Sequence, residues 1–262
     1  MILCVDVGNS HIYGGVFADK KIVLKFRHTS VAATSDMLGL FLKQVLTENG
    51  CDPKHIQCIS IASVVPSLDY SLRAACLKYF SIEPFILQAG IKTGLQIKCK
   101  NPVDVGADRI ANAISAVAAF PGKNLIVIDF GTATTFCAID ANKSYLGGSI
   151  MPGMRLSVDS LAEKTAKLPS VEIIKTSQAV GRTTVENIQA GIFLGAVGAC
   201  REIISRMKQT VFLDSASIVL ATGGFASLFD KENLYDYLMP DLVLDGLRLA
   251  VLLAGCSIPK AT

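Results

Sequence analysis

The sequence predicts an α/β protein made of two similar lobes. Short apolar runs typical of strands alternate with amphipathic segments typical of helices, which is the pattern of an α/β fold with some parallel pairing. In addition, an apolar strand, an aspartate, a glycine two residues later and a second strand occur at 6–10 and again at 129–133, 123 residues apart. Such a repeat indicates two related lobes with a cleft between them, and we divide the chain into 1–121 and 122–262.

The first half opens with three predicted strands. They are ILCVD, IYGGVF and KIVLKFRH, separated by turns at 8–10 and 19–20. Helical spacing of leucines predicts a helix across 38–46, and the strand IQCISIASVV, the amphipathic helix SLDYSLRAACLKYF and the short strand PFIL follow it. Residues 88–105 read as irregular, and the next helix begins near 104–106 and runs to Pro121.

The second half repeats the opening pattern. A strand ending in LIVID, a glycine turn, the strand TATTFCAID and a third strand at SYLGGSI come first. The segment PGMRLSVDSLAEKTAKL predicts a helix and a loop, and residues 184–208 predict a long helix. Three glycines on that helix, at 191, 195 and 198, are expected to permit close helix packing. ASIVLATGG predicts a buried strand entering a glycine turn, and DGLRLAVLLAG predicts a final apolar helix.

Composition excludes several classes of protein. With 51% hydrophobic and 18% charged residues, the chain is not intrinsically disordered, and a net charge of +3 predicts neither a nucleic-acid-binding nor a membrane-binding surface. Asp6 interrupts the first apolar run, so we expect no signal peptide, and the apolar stretch 242–256 is too short to span a bilayer. The eight cysteines form no C-x-x-C pair and the three histidines no metal-ligand spacing, which favours free thiols and a cytoplasmic protein.

The two aspartate–glycine turns are suited to binding a Mg²⁺-nucleotide. Glycine lets backbone N–H groups approach phosphate oxygens, and the carboxylate holds the metal or its waters. The sequence has neither a G-x-x-x-x-G-K-[ST] loop nor a G-x-G-x-x-G turn after a strand, which argues against P-loop and dinucleotide-binding Rossmann proteins. At 222–224 the TGG turn would accept a flat ligand such as adenine, but Thr222 as the cap of a following helix explains it equally well.

A second candidate site lies at the start of the helix after the irregular segment. In Gly106-Ala107-Asp108-Arg109, the acid and the guanidinium are adjacent and therefore point in different directions. Asp108 would accept a proton from a hydroxyl, and Arg109 would bind a substrate carboxylate in a forked pair. The alternative is that Asp108 merely stabilises the helix dipole, and these four residues alone favour that interpretation.

Together, these motifs resemble those of the type III pantothenate kinases, in the acetate and sugar kinase/heat-shock ATPase/actin superfamily. The resemblance rests on DVGNS at 6–10, NPVDVGADR at 101–109, DFGTATT at 129–135, GGSIMPG at 147–153, TT at 183–184 and ATGG at 221–224. It implies a duplicated ribonuclease-H-like, actin-like ATPase fold with two lobes around a nucleotide cleft. It also implies ATP-dependent phosphorylation of the terminal hydroxyl of pantothenate to 4'-phosphopantothenate, the first step of coenzyme A biosynthesis.

The resemblance also implies roles for individual residues and a homodimer with the substrate pocket near its interface. Asp108 would be the general base, and Asp129 would bind a monovalent cation, K⁺ or NH₄⁺. Asp6 would organise Mg²⁺, directly or through water. ATP would be bound by Asp6, Val7, Gly8, Asn9, Ser10, His11, Ile12, Tyr13, Thr132, Gly223 and Gly224, and pantothenate by Cys99, Gly106, Ala107, Asp108, Arg109 and Thr184.

The sequence departs from the family pattern at two positions. Cys99 stands where a tyrosine is common, and the change removes a hydrogen bond or a stacking wall from the substrate pocket. Ser10 replaces the usual threonine and keeps its hydroxyl. Cys99 leaves open a kinase for another small hydroxylated acid. A non-enzymatic transcription accessory factor is a further alternative, although all three aspartates are intact.

Overall fold

The structure, a computed structural model, describes residues 1–255 of the chain. Its strands are β1 (Ile2–Val7), β2 (His11–Ala18), β3 (Lys21–Thr29), β4 (Cys58–Ser63), β5 (Phe85–Ile86), β6 (Gln96–Ile97), β7 (Asn124–Phe130), β8 (Ala133–Ile139), β9 (Ser144–Pro152), β10 (Ser217–Thr222) and β11 (Tyr237–Leu238). Its helices are α1 (Ser35–Glu48), α2 (Pro66–Phe80), α3 (Ala107–Ala119), α4 (Met154–Lys164), α5 (Thr184–Thr210) and α6 (Leu242–Leu253). Short 3₁₀ turns include Pro102–Asp104 and Ala226–Phe229.

The chain forms two compact units. Of the described residues, unit 1 contains Met1–Ser115 and 242–255, and unit 2 contains Ala116–Asp241. In unit 1 the strands run in the order β3-β2-β1-β4-β5, with β1 antiparallel to β2 and parallel to β4. In unit 2 the order is β11-β10-β7-β8-β9, with β7 antiparallel to β8 and parallel to β10. Strands β7, β8, β9, β10 and β11 of unit 2 therefore take the places that β1, β2, β3, β4 and β5 take in unit 1. This equivalence confirms the predicted duplicated α/β fold.

Helix α6 comes last in the sequence but packs against β1, β2 and β4 of unit 1. Gly246 permits close packing of α6 against α3 of the same unit, because a Cβ at that position would overlap the carbonyl group of Ala111 on α3. The buried Ser60 hydroxyl on β4 also donates a hydrogen bond to the Leu247 carbonyl, at 2.9 Å. A division at residue 121 based on the sequence puts α6 with the second lobe, whereas its packing joins it to the first.

Helix α5 is, in the described range 1–255, the one helix long and apolar enough to cross a membrane by length and composition. One face, which includes Phe193, Val197 and Cys200, packs into the core of unit 2. The opposite face carries Gly191, Gly195 and Gly198, and nothing in the described chain lies within 4 Å of a Cβ built on any of them. The expectation that these glycines permit close helix packing is therefore wrong for contacts within the described chain.

Candidate active site

The loop between β1 and β2 is a tight turn at the carboxyl end of β1. The Gly8 N–H donates a hydrogen bond to the His11 carbonyl at 3.0 Å, and the side chains of Asn9 and Ser10 are exposed. Asp6, the second-last residue of β1, is half-buried and lies in register with Tyr13 on β2. An acid and exposed backbone thus meet at this edge of the sheet, as the sequence predicted.

Arg27 on β3 adds a cation to this row of residues. It lies in register with Tyr13, which in turn lies in register with Asp6, so the three side chains share one face of the sheet. The guanidinium carbon of Arg27 is 4.5 Å from the centre of the Tyr13 ring, a cation–π contact. Arg27 was not predicted from the sequence, because it belongs to no motif and is one of several exposed residues on β3.

The turn after β4 connects this loop with the second candidate site. The Val64 N–H donates to the Val7 carbonyl at 3.0 Å, directly before Gly8. Because Val64 and Val65 follow the end of β4 at Ser63, the predicted strand IQCISIASVV is two residues too long at this end. The side chain of Val64 reaches Gly106, where its Cγ1 lies 3.4 Å from the position that a Cβ would take.

Asp108 lies in the first turn of α3, and its carboxylate folds back over Gly106. Asp108 Oδ1 accepts a hydrogen bond from the Arg109 backbone N–H at 2.8 Å, and a Cβ on Gly106 would overlap the same oxygen. A side chain at position 106 would therefore displace the carboxylate from this orientation. Ala107 is buried, whereas Asp108 and Arg109 are half-buried and keep part of their side chains open to a ligand.

Burial raises the pKa of the Asp108 carboxyl above its usual range. The N–H group and the charge of Arg109 act in the opposite direction, but desolvation outweighs them. A carboxylate with a raised pKa is a better proton acceptor than an exposed one, which is the property required of a general base. Of the two interpretations of Asp108, these observations favour the base.

In unit 2, the loop between β7 and β8 repeats the first loop. Asp129, the second-last residue of β7, lies in register with Thr222 on β10, and the Thr132 side chain is exposed. The Gly153 N–H donates to the Thr132 carbonyl at 3.0 Å. A Cβ on Gly153 would overlap the carbonyl oxygens of both Gly131 and Thr132, so these two oxygens lie close together.

The TGG turn lies directly beside Asp129. Gly223 has a φ of +94°, and a Cβ there would overlap Asp129 Oδ1 and the backbone of Phe130. Thr222 is buried within β10, and the short 3₁₀ turn that follows begins after Phe225 without a side-chain cap. The interpretation of Thr222 as a helix cap is therefore wrong, and Gly224 remains exposed for a ligand.

Two further candidate residues, Thr184 and Cys99, lie outside the turns that follow β1, β7 and β10. Thr184 is the exposed first residue of α5, next to a capping box in which the Thr183 hydroxyl accepts from the Glu186 N–H and the Glu186 carboxylate accepts from the Thr183 N–H. Cys99 is half-buried in the irregular segment between β6 and α3. Within residues 1–255 all cysteines are free, and Cys256 lies outside the described residues.

The turn after β7 carries oxygen donors of the kind that a hard cation prefers. They are the Asp129 carboxylate and, further along the same turn, the Gly131 and Thr132 carbonyl oxygens that border Gly153. Near β1, the Asp6 carboxylate offers the same kind of donor to Mg²⁺ on a nucleotide. No group of three or more histidine, cysteine or acidic side chains with metal-binding geometry occurs in the part of the chain that is described.

A separate cavity of about 440 Å³ lies in unit 2, away from the predicted motifs. It is lined by Arg201, Ile204, Ser205, Lys208, Val219, Asn233, Leu234, Tyr235 and Asp236. None of the candidate site residues lines this cavity, so the candidate active site lies elsewhere, at the strand ends and at the start of α3.

Comparison with known proteins identifies relatives along the whole chain. A sequence model of the type III pantothenate kinases matches residues 2–206. A type III pantothenate kinase from Legionella pneumophila (strain Corby) is 65% identical over 253 residues, covering 97% of this chain and 99% of the relative.

Similar solved structures support the fold. A conserved putative Baf family transcriptional activator from Campylobacter jejuni superposes with a TM-score of 0.58 at 19% identity, covering 95% of this chain and 97% of that one. The activator of 2-hydroxyisocaproyl-CoA dehydratase from Clostridium difficile, solved with bound ADPNP, gives 0.55 at 12% identity, covering 100% and 98%. At these identities the likeness concerns the fold alone.

Proposed function

The chain belongs to the type III pantothenate kinase family, and we propose that Asp108 is the general base of its reaction. The enzyme phosphorylates pantothenate in coenzyme A biosynthesis, using ATP with Mg²⁺. The prediction of this activity is confirmed, and the alternatives of another acceptor and of a non-enzymatic factor are not needed. The single observation that supports the base is the Asp108 carboxylate, held by the Arg109 N–H at 2.8 Å and desolvated so that its pKa rises.

In the proposed mechanism, Asp108 accepts the proton of the terminal hydroxyl while that oxygen attacks the γ-phosphorus. The bond between the γ-phosphorus and the bridging oxygen breaks, and ADP leaves. Phosphoryl transfer needs little covalent chemistry from the protein, so positioning and charge stabilisation supply most of the rate. Arg109, adjacent to the base and half-buried, binds the carboxylate of pantothenate. Gly106 and Ala107 shape the same pocket, and Thr184 contributes a hydroxyl to the acceptor.

We assign ATP binding to the loops that follow the two repeated strands. The backbone of 6–13 and the Thr132 hydroxyl bind phosphate oxygens, and Gly223 and Gly224 border the adenosine. Asp6 would hold Mg²⁺, directly or through water, and the ion would neutralise charge on the phosphates. Arg27, on the same sheet face as Asp6, is a further candidate for phosphate binding.

Asp129 is the proposed ligand of a monovalent cation, K⁺ or NH₄⁺. Its carboxylate and the Gly131 and Thr132 carbonyls provide oxygen donors on one loop. We expect turnover to rise when K⁺ replaces Na⁺ at constant ionic strength. Asp129→Asn should remove this stimulation while the protein keeps its melting temperature.

We further propose a homodimer that uses the exposed face of α5. Gly191, Gly195 and Gly198 have no side chains and are exposed, so a second helix can approach the backbone closely at these three positions. Gly195→Arg should convert the dimer to a monomer in light scattering, whereas Leu40→Arg on the exposed surface of α1 should not. We place the enzyme in the cytoplasm, in keeping with the free cysteines of the described range.

The experiment that tests the catalytic assignment measures ADP release with Mg-ATP, with and without pantothenate. Wild-type turnover should require pantothenate, and Asp108→Asn should abolish it while ATP still binds. Pantothenate-dependent turnover that persists at the wild-type rate in Asp108→Asn contradicts the base. Cys99→Tyr, measured in the same assay, reports whether the cysteine weakens pantothenate binding, through a lower KM in the variant.

A further inference from the structure

The turn after β4 places an apolar side chain beside the proposed base. The position that a Cβ would take on Gly106 has Asp108 Oδ1 and Val64 Cγ1 as its nearest neighbours, the latter at 3.4 Å. Val64 is half-buried, so part of its isopropyl group remains open to a ligand. A carboxylate and an apolar surface therefore border the same point within unit 1.

Hydrogen bonds on both sides hold the backbone of this turn. The Val64 N–H donates to the Val7 carbonyl at 3.0 Å, and the Val65 N–H donates to the Ser63 hydroxyl oxygen at 3.2 Å. The Ser63 hydroxyl in turn donates to Asp69 Oδ1 at 2.5 Å. Because the residues before and after it are fixed, Val64 has a defined position relative to Gly106.

The equivalent turn in unit 2 has a different composition. Asp6 on β1 is in register with Ala62 on β4, and its counterpart Asp129 on β7 is in register with Thr222 on β10. Val64 lies two residues after Ala62 and Gly224 lies two residues after Thr222, so the two positions correspond. Unit 2 thus has no side chain where we propose that adenosine binds, whereas unit 1 has a branched apolar one. The substitution of valine for glycine at this repeated position points to a ligand with apolar groups in unit 1.

Pantothenate presents such groups next to its reacting oxygen. The carbon that carries the terminal hydroxyl is bonded to a carbon with two methyl groups, each three bonds from that oxygen. A base must approach the hydroxyl to about 2.6–3.2 Å, which brings both methyl groups close to the surroundings of the Asp108 carboxylate. The methyl groups contribute favourably to the binding free energy only if they leave water for an apolar surface.

We propose that Val64 is a specificity-determining residue that packs against the two methyl groups of pantothenate. The inference rests on the proposed role of Asp108, because the base fixes where the hydroxyl lies. Val64 then favours acceptors that branch beside the hydroxyl over straight-chain alcohols of the same length. A missing methylene in an apolar pocket lowers kcat/KM by about 10- to 200-fold, so the removal of this contact should be measurable.

The experiment compares two acceptors: pantothenate, and its analogue with hydrogens in place of both methyl groups. Wild-type enzyme should prefer pantothenate in kcat/KM. Val64→Ala should lower kcat/KM for pantothenate by about 10- to 100-fold and leave the analogue nearly unchanged, so that the preference is lost. The KM for ATP should not change.

Val65→Ala is the matched control. It removes the same atoms from the same turn, but the Val65 side chain packs against the core of unit 1. This variant should keep the wild-type preference between the two acceptors, whatever its effect on the melting temperature. The ratio of the two kcat/KM values, not the absolute rate, therefore separates a contact with substrate from a structural effect.

Two results overturn the inference: an equal loss on both acceptors in Val64→Ala, or no loss on either. Asp108→Asn, assayed in parallel, keeps this failure separate from failure of the proposed function. If Asp108→Asn is inactive and the preference survives in Val64→Ala, only the role of Val64 is wrong. If Asp108→Asn remains fully active, the assignment of the base is wrong, and the proposed role of Val64, which depends on it, is wrong as well.

Discussion

Gly223 lies directly against the Asp129 carboxylate. A Cβ on Gly223 would overlap Asp129 Oδ1 and the backbone of Phe130. The residue also has a φ of +94°, a backbone conformation that residues other than glycine rarely adopt. The Phe225 N–H also donates to the Phe130 carbonyl at 3.2 Å, which ties the TGG turn to the end of β7. The glycine turn therefore fixes the position of the proposed cation ligand.

We predict that Gly223→Ala lowers turnover by at least about tenfold and reduces its stimulation by K⁺, because the new methyl group displaces the carboxylate of Asp129. Gly122→Ala is the matched control. Gly122 lies in the same unit with a φ of +71°, but nothing lies within 4 Å of a Cβ there. Both variants should lose stability from backbone strain, and only Gly223→Ala should lose K⁺-dependent turnover. Equal K⁺ activation in the two variants would contradict the coupling.

Asp108→Asn should lower kcat by about 10²- to 10⁴-fold, because the amide is nearly isosteric but cannot accept the proton of the hydroxyl. The KM for ATP should stay within experimental error. Steady-state kinetics with pantothenate as the varied substrate provides the measurement. An unchanged kcat would exclude Asp108 as the base.

The raised pKa of Asp108 predicts opposite effects of pH on rate and on stability. Since the base must be ionised, kcat should fall as the pH decreases through the raised pKa, at a higher pH than for an exposed aspartate. A folded-state pKa above the unfolded one means that ionisation costs stability as the pH rises through the folded pKa.

Asp108→Asn should therefore raise the melting temperature at neutral pH; the gain should shrink as the pH falls through the raised pKa and be gone once the pH is below the ordinary value near 3.8. Thermal unfolding of both proteins across this range gives the measurement. A variant less stable than the wild type at neutral pH would show that burial of the charge is not costly.

Much of the fold could be predicted because its signals are local. The apolar runs around Asp6 and Asp129 gave both first strands, and α5 follows the 184–208 prediction closely, ending at Thr210. The strand β11 at Tyr237–Leu238 was missed, since two residues carry no periodicity. The placement of α6 with unit 1 was also missed, because it depends on long-range packing of Gly246 against Ala111.

The site was predictable where a motif carries the chemistry and unpredictable where packing does. Asp108, Asp129 and the two glycine turns stand out in the sequence itself. Val64 does not, since a valine after an apolar strand is read as part of that strand, and its proposed role rests on the approach of its methyl group to Gly106. The orientation of Asp108 over Gly106 is likewise a tertiary feature.

The capping box at the start of α5 should control how well Thr184 binds pantothenate. Thr183→Ala removes the hydroxyl that accepts from the Glu186 N–H and should cost about 1 kcal/mol of stability. Because Thr184 is the next residue, fraying of this turn should also raise the KM for pantothenate several-fold with little change in kcat. Thr34→Ala is the control: Thr34 caps α1 in the same way, accepting from the Met37 N–H at 3.2 Å. It should lose similar stability in thermal unfolding and keep the wild-type KM, and an equal rise in KM for both variants would exclude a specific role for Thr184.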